Sequence, residues 1–143
     1  MSRTSSNPVR GLGTNVVSPP GTLGIGTDIL SIERMRGCID SPSFLSKTFT
    51  DEEIALAATR GDPASYYAKV FAGKEAVFKC FGLGADSLGS LQEIEMVDGS
   101  DSQPVVRLHG LLAALAENRG VREVLISVSY DTGYAIAFAA LVG

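Results

Sequence analysis

The chain has 143 residues, with 12 lysines and arginines against 16 aspartates and glutamates and a formal net charge of −4. That is the size of one domain, and 45% hydrophobic with 20% charged residues is a soluble, globular make-up. The composition excludes a membrane-spanning helix, since no apolar run reaches the necessary length. It also excludes a structural zinc site, since one histidine and two scattered cysteines fall short of four ligands, and general nucleic-acid binding, since no basic stripe offsets the acidic balance.

Residues 1–22 are rich in Ser, Pro, Gly, Asn and Thr, have no period, and read as a flexible tail or linker. The folded domain is expected over residues 23–143. No apolar leader is visible, so a cytoplasmic location is expected, with Cys38 and Cys80 as reduced thiols. Leu23 to Leu30 (LGIGTDIL) predicts a short strand in which Gly24 and Gly26 let another backbone or a ligand approach. Asp28 interrupts that strand near its end. It reads either as a turn or N-cap residue for the helix predicted at Ser31 to Cys38, or as an oxygen ligand for a hard cation. Thr50 with Glu53 three residues on is a capping box, and Asp51 and Glu52 suit the positive end of that helix.

Ala64 to Phe81 (ASYYAKVFAGKEAVFKCF) predicts a long helix, started at Asp62 or Pro63 and stopped by Gly82. Tyr67, Val70, Phe71, Val77, Phe78 and Phe81 fall on one apolar stripe. Lys74 lies near the middle of that stripe, Glu75 at its edge, and Lys79 one turn beyond Glu75. A lysine centred on a buried face needs an anionic partner. Two readings stay open: Lys74 snorkels past the aromatics beside a surface Glu75–Lys79 pair, or the carboxylate and both ammonium groups converge on an anionic ligand such as phosphate with a metal.

The glycine-rich loop from Gly82 to Gly89 lacks the GK[ST] ending of a phosphate-binding loop. Its backbone amides could meet a phosphate, or it simply connects. Leu91 to Val97 and Pro104 to His109 predict a strand pair, Gly110 to Asn118 a short helix, and Glu123 to Tyr130 with Tyr134 to Val142 a hairpin turning at Asp131-Thr132-Gly133. His109 at its strand–helix junction reads as structural or solvent-exposed. The element order β-α-α-α-β-β-α-β-β predicts a single α+β domain, a largely antiparallel sheet packed on the long central helix.

GIGTDIL followed some forty residues later by FAGKEAVFK resembles the 4′-phosphopantetheinyl transferases, and the length and element order are similar to their short, holo-[acyl-carrier-protein] synthase type. The resemblance runs from Leu23 to Gly143, including the FTDEE helix start and the closing SVSYDTGYAIAFAAL hairpin. It implies an enzyme with the 4′-phosphopantetheinyl transferase fold. Such an enzyme uses Mg²⁺ to move phosphopantetheine from coenzyme A onto a serine of an apo acyl carrier protein, releasing adenosine 3′,5′-bisphosphate. It also implies a homotrimer with the active site between subunits, and neither nucleic acid nor membrane as a partner.

Carried over by motif, Asp28 and Glu75 match the magnesium ligands. Glu75 and Lys79 are the catalytic candidates, and Lys74, Lys79, Gly82, Gly84 and Ser129 the coenzyme A-binding ones. Lys79, Glu75 and a metal-bound water remain rival acceptors for the serine proton. Three departures stand out: Val70, with Lys69 beside it, where the family has arginine; Tyr130 after Ser129 where it has histidine; and Ser102-Gln103-Pro104 where it has a Gly-x-Pro turn. The alternatives they raise are a non-catalytic relative that binds coenzyme A or a carrier protein, and a magnesium-dependent phosphate hydrolase. Because carriers are acidic, a local basic patch from Arg34, Arg36, Lys47 and Lys69 is expected to outweigh the net charge.

Overall fold

Among the described residues, five strands and five α-helices run in the order β1 (Thr22–Ser31), α1 (Ile32–Cys38), α2 (Pro42–Thr48), α3 (Asp51–Ala57), α4 (Pro63–Cys80), β2 (Ile94–Asp98), β3 (Pro104–Leu108), α5 (Gly110–Asn118), β4 (Glu123–Tyr130) and β5 (Tyr134–Val142). The structure is a computed structural model describing residues 21–83, 90–100 and 103–143. Most of the expected tail therefore lies outside the described residues. Its last two positions belong to the fold: Gly21 and Gly143 exchange backbone hydrogen bonds at 3.0 Å, and Thr22 opens β1.

The strands form two antiparallel sheets rather than one. The larger has the order β1-β5-β4 and the smaller is the β2-β3 pair. β5 is central, with Asp28 opposite Ala137 on one side and Val128 opposite Ala137 on the other. α2 was not predicted. Pro42 at its first turn and the Ser41 hydroxyl, which accepts from Phe44 N–H at 3.3 Å, start it within a stretch too short to show a period. Ser31 caps α1, so the aspartate in β1 is released from that task. Thr50 and Glu53 form the predicted capping box of α3.

α4 is the axis of the molecule, and it is buried on more than the predicted aromatic stripe. Ala68, Ala72, Ala76 and Val77 have no exposed surface, and neither do Ala135 and Ala137 of β5. Small side chains on helix and strand let the two backbones lie close. On the other flank Phe44 from α2 packs on Phe49 and Phe71, and Phe49 in turn on Tyr67. Gly73 lets the Met96 side chain of β2 pack against the helix, where a Cβ would displace its sulfur.

Candidate active site

Along β1 the side chains alternate, as a strand must. Leu23, Ile25, Thr27 and Ile29 are exposed, while Gly24, Gly26, Asp28 and Leu30 point toward α4. A Cβ at Gly24 would overlap the Cys80 carbonyl oxygen, and one at Gly26 the Ala76 carbonyl oxygen. The two glycines thus let the strand lie directly on the helix backbone. The next position on that face, Asp28, is the first with a side chain long enough to reach the helix flank, where Glu75 and Lys79 emerge.

Lys79 Nζ donates to Asp28 Oδ1 at 2.9 Å and to the Thr27 carbonyl oxygen at 3.0 Å. Glu75, half-buried, has its carboxyl pushed above the ordinary range by burial and next by the Asp28 charge, with Lys79 opposing. Asp28 and Lys79 are thus paired directly, and Glu75 lies near enough to feel the charge of both. Among the described residues no group of three or more Asp, Glu, His or Cys side chains gathers around a common point. Two hard oxygen donors fit Mg²⁺, which binds through one or two carboxylates and completes its octahedron with water and substrate phosphate. They do not fit zinc.

Lys74 is a correction. Its side chain has no exposed surface and points inward: Nζ lies 2.7 Å from Glu53 Oε1 and donates to the Leu91 and Ile94 carbonyls at 2.9 and 2.5 Å. All three donors are used inside the protein, so this lysine is structural and cannot touch coenzyme A. Neither open reading of it holds. The anion that a buried lysine needs is Glu53, whose other role, in the capping box, was the only one legible locally. Glu53 also accepts from the Thr50 and Met96 backbone N–H groups at 2.9 and 2.7 Å, so one carboxylate joins α3, α4 and β2. Burial pushes the Glu53 carboxyl up and the Lys74 ammonium down, each partner opposing the shift.

Gly82 has a φ of +68° and ends α4, its N–H bonding the Lys79 carbonyl at 3.0 Å, so its first role is to stop the helix. Gly84 lies outside the described residues. Ser129 is exposed on β4 opposite Ile136. Lys69 Nζ stands 4.8 Å from the centre of the Tyr130 ring, so the lysine beside Val70 neighbours the Tyr130 departure. Both line a polar cleft of about 520 Å³ with Arg60, Asp62, Ser65 and Asp98. Of the expected basic patch, Arg34 and Lys47 are exposed, but Arg36 is already paired with Glu33 and Asp62. His109 is half-exposed, 3.1 Å from a Glu95 carboxylate oxygen. Cys38 and Cys80 are free thiols, and burial pushes Cys80 up to about 11.

Residues 24–139 match the model of the 4′-phosphopantetheinyl transferase superfamily. A holo-[acyl-carrier-protein] synthase of Clostridium acetobutylicum is 38% identical over 119 residues, 82% of this chain and 95% of that protein. The crystal structure of the Neisseria meningitidis holo-[acyl-carrier-protein] synthase superposes with a TM-score of 0.78 at 29% identity, covering 85% of this chain and 98% of that one. That of the Helicobacter pylori enzyme in complex with coenzyme A superposes with a TM-score of 0.71 at 28% identity, covering 82% and 98%. The match includes the strand and helix that bring Asp28, Glu75 and Lys79 together. The chain belongs to the 4′-phosphopantetheinyl transferase superfamily.

Proposed function

We propose that this protein is a holo-[acyl-carrier-protein] synthase, transferring 4′-phosphopantetheine from coenzyme A to a serine of an apo acyl carrier protein. The observation that carries the reading is the meeting of Asp28, Glu75 and Lys79 where β1 crosses α4. The serine oxygen attacks the phosphorus that bears the pantetheine. The bond from that phosphorus to the bridging oxygen of the pyrophosphate breaks, and adenosine 3′,5′-bisphosphate leaves with that oxygen.

Asp28 and Glu75 would hold Mg²⁺, which would supply neutralisation of charge on the pyrophosphate. Lys79, whose Nζ donates to Asp28 and to the Thr27 carbonyl, is placed to stabilise charge on the leaving phosphate. The serine proton goes to one of the three acceptors the motif offers, Glu75, Lys79 or a metal-bound water. The residues that match the motif, Asp28, Glu75 and Lys79, are all present, which favours a transferase over a binding protein without chemistry.

The active form is a homotrimer that acts in the cytoplasm. What supports assembly is the outward face of the larger sheet, where Leu23, Ile25, Ile29, Leu125 and Phe138 are 48 to 75% exposed. A groove of about 820 Å³ across that face reaches Lys79, so a second copy seated there would close over the site. No helix among the described residues is long and apolar enough to cross a membrane.

Incubation with coenzyme A, Mg²⁺ and an apo carrier protein, followed by mass spectrometry, tests the reading. The expected result is a carrier heavier by one phosphopantetheine group, no product without carrier, and no transfer by Asp28→Ala or Glu75→Ala variants that retain the fold. Breakdown of coenzyme A without carrier would establish a hydrolase instead.

A further inference from the structure

We propose that Lys79 is an internal counter-cation for Asp28 and that a divalent cation enters the site by exchanging with it. This rests on the metal reading above, and adds that metal loading and release of the lysine are one coupled event.

The ammonium is fixed beside the carboxylate by two directed bonds, to Asp28 Oδ1 and to the Thr27 carbonyl of the same strand. The two partners differ in freedom. The Asp28 side chain is 17% exposed and set by the strand, whereas the Lys79 side chain is 51% exposed on a flexible four-carbon stem. With Glu75 one helical turn before Lys79, two carboxylates are offset by a single positive charge. A dication held by the same carboxylates reverses that balance, giving a surplus of positive charge with like charges a few ångströms apart. The lysine is the group free to move.

Two consequences follow. The lysine weakens metal binding in the absence of substrate, because the entering ion must break an existing pair. It is then released at the place where the substrate's phosphates arrive, so metal and coenzyme A bind with positive coupling. An ordinary surface ion pair would do neither.

The test is Mn²⁺ binding measured calorimetrically on the folded protein without coenzyme A. Lys79→Met is expected to bind Mn²⁺ about three- to tenfold more tightly than the wild type, from loss of the pair and of the repulsion. Lys79→Arg, which keeps the cation, is expected to stay within about twofold. Asp28→Asn removes the binding. Unchanged or weaker binding by Lys79→Met overturns the exchange, as does the absence of binding by both the wild type and Lys79→Met. If Asp28→Asn binds as the wild type does, the metal reading itself fails. Circular dichroism checks the fold of each variant, and Lys79→Gln gives a second neutral variant.

Discussion

Glu53 shows how much one side chain can be asked to do. Its carboxylate caps α3, takes the Met96 N–H of β2 and meets Lys74 from α4, all without contact with water. Lys74→Met would leave that carboxylate buried and uncompensated. It is expected to lower stability by about 3–5 kcal/mol in denaturant unfolding, with part recovered on adding Glu53→Gln. Lys79, the same residue type about 1.4 helical turns later, faces outward beside Asp28. Lys79→Ala is expected to lower kcat by about two orders of magnitude or more with the fold retained, as loss of charge stabilisation requires. A change confined to KM would make it a binding residue instead.

At the scale of elements, the site depends on how closely β1 rides on α4. The two strand glycines set that distance, because the helix carbonyls of Ala76 and Cys80 fill the space their side chains would need. Gly26→Ala forces strand and helix apart, and is expected to cost on the order of 1–3 kcal/mol and to weaken Mn²⁺ binding by displacing Asp28 from Glu75. A second tie joins α1 to the start of α4, where the Arg36 guanidinium donates to both Asp62 carboxylate oxygens at 3.0 and 3.3 Å. Arg36, and after it the Ser65 hydroxyl, hold the Asp62 carboxyl down at about 2. A carboxylate depressed by folding stabilises the fold above its unfolded value of about 3.9. That contribution disappears as the pH falls through about 2. Asp62→Asn is therefore expected to flatten the acid side of the stability profile, and added salt to do the same in the wild type, because both groups are exposed.

For the whole molecule, the question is what covers the outer face of the larger sheet. Ile25 and Phe138 are 75% and 56% exposed there, an unfavourable arrangement for an isolated chain. Ile25→Glu with Phe138→Glu is expected to shift sedimentation from trimer to monomer and to abolish transfer, with circular dichroism unchanged. A monomeric wild type with full activity would remove the intersubunit site. Most of the architecture that presents this face was legible in advance. β4, β5, the turn between them, α5 and the start of α4 lie where hydrophobic period and turn chemistry put them. The short α2 and the division into two sheets were not legible, since seven residues show too little period and strand partnership is a long-range matter.

By itself the sequence determined which residue types form the family's motif. The Gly-x-Gly-x-Asp strand and the Lys-Glu-Ala helix are local patterns, and the spacing of Glu75 and Lys79 by one helical turn puts them on one flank before any tertiary contact forms. Only the tertiary structure decided which of the two lysines is buried on Glu53 and which stands exposed beside Asp28. Helical period places Lys74 on a buried face but is silent on what waits there, and its partner is a glutamate brought in by a different helix. The pairing of Lys79 with Asp28 is equally a product of packing, because it forms where two glycines allow a strand to lie against a helix.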